Sequence, residues 1–551
     1  MRRQTTCFRL QAAWRGWALL GLGLLSGPLT VQAEVKAFPT AEGFGANAKG
    51  GRGGRVIEVT NLNDAGPGSL RDCAEATGPR ICIFRVSGTI TLQGVVVIRN
   101  PYLTIAGQTS PGGVQLKGPQ MAGACQGIDM VGGVHDIVMR HLRVRLGGPG
   151  AHDGCGGTNL LIYGDTADTV HDIIIDHASV SWGTDTQLDA YGNFDNVTLQ
   201  WNLVAEGADD GTGSGGKGSH IGGWGDPDQR MRVSVHHNVY ASNRERSPLI
   251  QRAGLFDFRN NVGYNWGGNN GAVFGQWLLN HSAIGNMVNN HYLPGPYGSA
   301  PAFALGNGGP TRVDGSPAER GGTKIYSAGN WGPVCPSGCS DDWAEYYTWD
   351  YYEWNGDTNA YPASASVFRA SAPFSVPAVT TDPTAQVKNR VLANAGATKP
   401  FRDSDDTRIV NDVMSGTGRS FNAIGYGGPW PDLASGAPQP PTDSDHDGIP
   451  DSWESAHGLN PSSAADGPRV AANGYTHVEN YLNELAGDPV FAATMPGDLN
   501  GDGKRDLADV RLLIYMLIGQ QATTPEADLN SDGAVTLADL QALIKLMVGL
   551  S

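Results

Sequence analysis

Long apolar runs are nearly absent from this 551-residue chain. The one that stands out, residues 17–25, is too short to cross a bilayer, which takes about 20 apolar residues. No membrane span is expected. Basic charge is scarce as well: 38 Lys and Arg stand against 54 Asp and Glu, a formal net of −16. Nucleic-acid binding, which calls for clustered positive charge, is not expected either. The deficit is uneven. Residues 431–551 carry 18 acidic and 5 basic side chains, so −13 of the −16 belongs to the tail. The strand-like units in the middle of the chain lack the helical stretches that a βαβ fold would need. Cysteine is limited to seven.

Arg2 and Arg3 precede the short apolar run, and Val31, Gln32 and Ala33 form an A-x-A-like cleavage site. This is the pattern of a secretory signal over residues 1–33, so the mature protein is expected outside the cell. Its removal takes Cys7 and leaves six cysteines, an even number that favours disulfides. Sequence proximity favours Cys73–Cys82 and Cys335–Cys339, with Cys125–Cys155 remaining. Six cysteines allow 15 pairings, and proximity alone does not decide among them.

What the chain has in abundance is glycine, 78 residues, and short alternating strands. A pattern of apolar, any, apolar, two mostly polar, then Asn or a small residue recurs at residues 137–144, 173–180, 197–204, 233–240 and 256–262. A weaker copy surrounds Asn286. With Leu142, Ala178, Asn202, Asn238, Asn261 and Asn286 taken as equivalent, the steps are 36, 24, 36, 23 and 25. One short strand per unit at such a period is the mark of a solenoid. A parallel β-helix is the simplest solution, with the asparagines stacked as a ladder of side-chain amides. The two long steps insert loops at residues 147–157, holding Asp153, and 205–226, holding Lys217 and His220. Inserted residues of a solenoid gather on one face. The aromatic run at 346–352 is read chiefly as packing of a long loop.

Two carboxylates, Asp185 and Asp189, end the strand-like stretch that begins at Ile173. Arg244, Arg246 and Arg252 fall within nine residues further on. Four residues of straight strand span about 13 Å, so the two acids share an ion only if the chain bends between them. Acids and arginines on neighbouring coils suit an acidic substrate bridged by a cation. After a Pro-rich linker at 436–442, residues 443–454 match the twelve-residue calcium loop: Asp443, Asp445, Asp447, Gly448, Asp451 and Glu454 fall at positions 1, 3, 5, 6, 9 and 12. Two more such loops follow. One has Asp498, Asn500, Asp502, Asp506 and Asp509; the other, thirty residues on, has Asp528, Asn530, Asp532, Thr536 and Asp539. Each leads into a stretch with helical apolar spacing.

Several segments resemble the family 1 polysaccharide lyases that act on pectate. They are A-F-P-T-A-E-G-F-G at 37–45, G-R-G-G-R-V at 51–56, D-A-G-P-G-S-L-R at 64–71, I-D-H-A-S-V-S-W-G-T-D at 175–185, H-H-N at 236–238 before R-S-P at 246–248, and G-Y-T-H-V-E-N-Y-L-N-E-L at 474–485. The resemblance implies a right-handed parallel β-helix and calcium-dependent β-elimination of (1→4)-linked galacturonan to 4,5-unsaturated products. It implies Asp153, Asp185 and Asp189 as calcium ligands, Lys217 and Arg252 as substrate-binding residues, and Arg246 as the base. Arginine is a weak proton acceptor at neutral pH, so the base is the guanidine or a hydroxide that it positions. A second family resemblance covers residues 495–551, which are similar to a type I dockerin, a calcium-folded helical module that docks onto cohesin-type partners. The expected organisation is a signal at 1–33, a β-helix at 34–435, the linker at 436–442, a calcium-loop segment at 443–490 and the docking module at 495–551. A lyase for methylated pectin would not need Asp185 and Asp189. A non-catalytic pectin-binding or adhesive β-helix would not need Arg246.

Overall fold

The computed structural model describes residues 35–118, 126–147, 157–208, 215–223, 231–251, 254–267, 271–275, 283–298, 302–305, 323–348, 368–420, 428–489, 497, 499, 505–521, 523, 527–530 and 534–547. The signal segment, Cys125 and Cys155 lie outside the described residues.

The strands are short because the chain turns every few residues. Val170–Asp176, Ser179–Ser181 and Leu188–Gly192 make one coil, and each enters a different sheet. Among the described residues the coils build a ten-strand sheet from Arg55–Val59 to Lys324–Ala328, a nine-strand sheet from Val96–Ile98 to Tyr346–Thr348, and an eight-strand sheet from Gly88–Thr91 to His291–Leu293. The pairings are parallel and in register. Ile137, Ile173, Val197, Val233 and Phe256 stack one above another into the interior. The expected parallel β-helix is present.

The corner after the ten-strand sheet is held twice. Asn202 donates from its backbone N and Nδ2 to Asn238 Oδ1 (2.8 and 3.0 Å), Asn238 does the same to Asn261, Asn261 to Asn290, and Asn290 to Asn330. The asparagine ladder is real, but its lower rungs are Asn290 and Asn330. Asn286 lies within the strand Ile284–Val288 and bonds to Phe374 instead. The reason is a longer coil: the step from Asn261 to Asn290 is 29 residues. The residue before each rung turns the corner in the left-handed region. His141, His177, Trp201, His237, Asn260 and Asn289 have φ from 52° to 57°, a conformation that costs non-glycine residues about 1–2 kcal/mol. Ring stacking offsets part of that cost: His141, His177, Trp201 and His237 pile up at 4.8, 5.9 and 4.2 Å between centroids.

Two faces of the β-helix are covered. Phe38, Ala41 and Ala48 pack on Val138 and Ile174 of the ten-strand sheet. Gly45 comes so close that a Cβ would meet the Ile173 carbonyl oxygen at 2.2 Å. The helices Thr384–Asn394 and Ser404–Ser415 lay Val387, Val391, Ile409 and Val413 on Leu203, Val239 and Val262 of the eight-strand sheet. Buried pairs between Arg143 or Arg145 and Asp403 or Asp406 fasten the second helix. The Pro-rich stretch is no free spacer, since Arg85 Nη2 donates to the Pro441 carbonyl (2.6 Å). Beyond it, Ile449, Val478 and Leu482 pack on Ile81, Ile83 and Ala106 of the early coils. Disulfides join Cys73–Cys82 and Cys335–Cys339 as proximity favours. Tyr346 packs on Phe303 and Trp343, so this part of the aromatic run serves packing. In the tail, Leu507–Leu517 and Leu537–Met547 form a helix pair around Leu513, Met516 and Leu543. No described helix is long and apolar enough to cross a membrane.

Removing the Asn238 rung takes the acceptor from the buried Asn202 backbone N–H and from Asn202 Nδ2, and the Nδ2 donor from the Leu199 and His236 carbonyls. Asn238→Ala is expected to destabilise the fold by about 2–4 kcal/mol, read as a lower denaturant midpoint at unchanged m-value.

Candidate functional site

The outer face of the nine-strand sheet carries the polar groups that the interior excludes. In Leu188–Gly192, Leu188 and Ala190 point into the core, so Asp189 points out. The register runs Asp129, Leu161, Asp189, His220, Leu249 along this face. Asp189 is buried and firmly held: Oδ1 accepts from His220 N (2.7 Å) and Oδ2 from Thr186 Oγ1 (2.6 Å). Burial pushes it up to about 7, and the negative charge of Asp185 adds to the shift; Arg246, close enough to act on it, opposes. Asp129, two coils earlier, is also buried and is pushed up to about 6 by burial.

Asp185 lies just before the same strand, in the turn. Its backbone N donates to Gly157 O (3.0 Å), and its side chain pairs with Lys217 Nζ through Oδ1 at 2.8 Å. The Asp185 side chain is 39% exposed and the Lys217 side chain 13%. The loop holding Lys217 is stitched to the next coil. Gly218 N donates to Glu245 O (2.9 Å) and Ser219 N to Arg246 O (2.7 Å). A Cβ on Gly218 would meet the Arg246 carbonyl oxygen at 2.3 Å, so only glycine lets the two coils close up here. Arg246 itself has φ 59°, which turns it out of the strand path. Its side chain is 23% exposed, and Arg246 Nε lies 4.0 Å from Glu245 Oε1. Asp185, Asp189, Lys217 and Arg246 therefore sit on one face of three neighbouring coils. Asp153 and Arg252 lie outside the described residues.

Relatives align along most of the chain. The chain is 34% identical to "Probable pectate lyase C" of Aspergillus terreus over 481 residues, 85% of this chain and 98% of that protein. It is also 34% identical to "Probable pectate lyase C" of Aspergillus fumigatus, over 84% of this chain and 98% of that protein. The chain belongs to the pectate lyase family. A solved pectate lyase from Acidovorax avenae subsp citrulli aligns at 14% identity over 69% of this chain and 99% of that one, with a TM-score of 0.42. Residues 496–547 match the dockerin type I domain.

Of the dockerin loop residues, Asp498, Asn500, Asp502 and Asp532 lie outside the described residues. The two repeats otherwise behave alike. Buried Asp509 accepts from Leu499 N and Asp506 N, and buried Asp539 from Leu529 N and Thr536 N, all within 2.7–2.8 Å. Asp506 caps its helix through Ala508 N, as Thr536 does through Ala538 N. Asn530 N also donates to Asp539, and Asp528 opens this second loop.

Sequence reasoning missed Thr186, Tyr163 and Tyr191 as neighbours of the lyase face, and gave His220 no role there. Thr186 and His220 orient Asp189. Tyr163 and Tyr191 stand on adjacent strands in register, two residues beyond Leu161 and Asp189 on the same face. Their rings stack at 6.1 Å and Tyr163 is 36% exposed. The signal that would have found the tyrosines is the period of two in Leu188–Gly192.

The shift of Asp189 has a consequence for the metal-free lyase. The folded chain keeps a proton on this residue between about pH 4, the ordinary Asp value, and pH 7. Its contribution to stability is thus full below pH 4 and lost as the pH rises through 7. Asp189→Asn cannot ionise. In chelator it is expected to exceed wild type by on the order of 3 kcal/mol at pH 8 and to converge with it near pH 4, as read by denaturant titration.

Proposed function

We propose that the protein is a secreted, calcium-dependent pectate lyase that cleaves (1→4)-α-D-galacturonan by β-elimination, with residues 495–551 docking it onto a cohesin-type protein. The observation that carries this reading is the single outward face on which Asp185, Asp189, Lys217 and Arg246 meet. The donor set fits calcium. Two carboxylates from one turn, one of them buried with its charge uncompensated by any salt bridge among the described residues, are hard oxygen ligands of the kind Ca²⁺ takes. Asp185 and Asp189 would hold the ion, joined by Asp153 if its loop folds over them. Bound there, Ca²⁺ would supply positive charge to the substrate carboxylate next to the carbon that loses its proton.

The rest is done by the chain's own groups. Lys217 is shared at present with Asp185, and an ion pair this accessible is worth only about 0–1 kcal/mol. It is free to exchange Asp185 for a uronate carboxylate. Arg252 would take a second carboxylate. Arg246 receives the C5 proton, directly or through a hydroxide it positions, as the C4=C5 bond forms and the C4–O bond breaks. The departing sugar keeps the glycosidic oxygen on its C1, takes up a proton there as a new reducing end, and the remaining chain ends in a 4,5-unsaturated uronide. Tyr163 and Tyr191 border this face and offer aromatic surface to pyranose rings.

The deciding experiment mixes the metal-free protein with polygalacturonate and follows the absorbance of the unsaturated uronide. Absorbance should rise on adding Ca²⁺ and stop with EDTA. No product at any Ca²⁺ level would end the lyase reading, and full activity in EDTA would end the calcium part of it.

Arg246→Lys keeps the charge but loses the planar fork and shortens the reach. Its kcat is expected to fall by about 10²–10⁴-fold, with a smaller change in KM because Lys217 and Arg252 still hold carboxylates. A variant with near-normal kcat and a raised KM would make Arg246 a binding residue and leave Lys217 as the next candidate for the base.

A further inference from the structure

The acidic loop at residues 443–454 takes no part in the reaction proposed above. Its backbone is a tight turn, with His446 at φ 62° and Gly448 at φ 93°. One oxygen from each of Asp445, Asp447, Glu454 and Asp466 lies within 4.8 Å of the others. Glu454 is 0% exposed and neither of its oxygens has a partner. Asp445 Oδ2, Asp447 Oδ2 and Asp466 Oδ1 are buried and unpartnered as well. Their other oxygens are engaged: Asp445 Oδ1 accepts from Asp447 N (3.3 Å), Asp447 Oδ1 from Ile449 N (2.9 Å) and Asp466 Oδ2 from Asn460 N (2.9 Å). The three aspartates are thus each held by one oxygen, and the four carboxylates converge with Glu454 among them. Gly467 lets the two segments meet, because a Cβ there would come within 2.4 Å of Asp447 Oδ2.

Buried polar atoms are almost always paired, and four carboxylates at this separation repel one another. A cation where they converge removes both penalties. Asp451 does not contribute to it: its two oxygens accept from Ser444 N and Oγ, each at 2.7 Å. Asp443 braces the loop through His446 N and Gly448 N (2.9 and 3.1 Å). An all-oxygen, all-carboxylate donor set selects Ca²⁺ over softer metals.

We propose that Asp445, Asp447, Glu454 and Asp466 bind one Ca²⁺, with Asp466 supplying from outside the loop the ligand that the twelve-residue pattern assigns to Asp451. The ion locks the segment 443–489 onto the early coils. Ile449 beside the loop is buried among Ile81 and Ile83, and Arg85 lies 4.0 Å from Asp443. The site is structural, and it stands whether or not the lyase reading does.

The test compares full-length wild type, Asp466→Asn and Asp451→Asn by thermal unfolding in EDTA and in excess Ca²⁺. All three keep the dockerin loops and the groove, so those contributions cancel. In EDTA, Asp466→Asn should unfold at the same temperature as wild type or higher, because it removes one of four opposing charges. In Ca²⁺ it should gain less than wild type and bind one fewer ion tightly, with an affinity at this site lower by about tenfold or more. Asp451→Asn should keep the full Ca²⁺ gain. Equal losses for Asp466→Asn in both conditions would overturn the proposal and leave Asp466 as a cap for Asn460. Loss of the Ca²⁺ gain in Asp451→Asn alone would return the ligand role to Asp451. Should Asp466→Asn fail to fold, Glu454→Gln carries the same reversal of sign between the two conditions and decides in its place.

Discussion

Register between successive coils is the constraint on which everything else rests. A slip of one residue in any coil would turn its apolar column outward and its polar column inward. The asparagine ladder from Asn202 to Asn330 makes such a slip costly, because each amide both donates to one coil and accepts from another. The stacked rings at the same corner add a second, weaker lock. With register pinned, neighbouring coils lie about 4.8 Å apart. That spacing fixes where Asp189, the Lys217 loop and Arg246 stand relative to one another, without any of them being adjacent in sequence.

Ion pairs in this chain divide by burial, and the division separates structure from chemistry. Arg143 and Arg145 meet Asp403 and Asp406 with side chains at 0–1% exposure. Breaking such a pair would strand a buried charge, so these residues are committed to holding a helix against the eight-strand sheet. Arg140 with Asp176 and Asp488 is of the same kind. That explains why Asp176, inside one of the family's segments, reads as architecture. The Lys217–Asp185 pair is more accessible and can be exchanged. Charges meant to meet a substrate must be available to water when it is absent.

Much of this was legible in the sequence. Period and alternation point to the solenoid and the β-branched run at Ile173–Ile175 to a strand, and both are present; between Asp185 and Asp189 the chain passes from a turn into a strand. The failures are local and have causes. Asn286 follows Asn261 by 25 residues, close to the 23 of the step before, whereas the true rung Asn290 follows by 29 because that coil is longer. A loop pattern encodes only ligands contiguous in the chain, so Asp466, which tertiary folding brings beside Asp445, Asp447 and Glu454, is not legible in it. Within the Pro-rich stretch 436–442 the Pro441 carbonyl remains a good acceptor, and Arg85 uses it, a contact that composition does not encode. The ring ladder at His141, His177, Trp201 and His237 was in plain sight within the repeat, but only a stacked register makes those residues neighbours.

The uneven charge follows from the division of labour between the two parts of the chain. A protein that handles a polyanion gains nothing from an acidic surface, since like charges slow encounter. Residues 34–430 accordingly carry 29 basic against 36 acidic side chains, a net of −7 and a lower charge density than the tail's. The tail concentrates −13 in a little over a fifth of the chain, which would be a liability if those acids stayed bare. Placed in calcium loops they do not: each divalent ion cancels two charges, so three loaded loops would remove roughly half of the tail's excess. With the ions proposed above bound, the same acids would also couple folding to calcium, because a loop of converging carboxylates is unfavourable until its ion arrives.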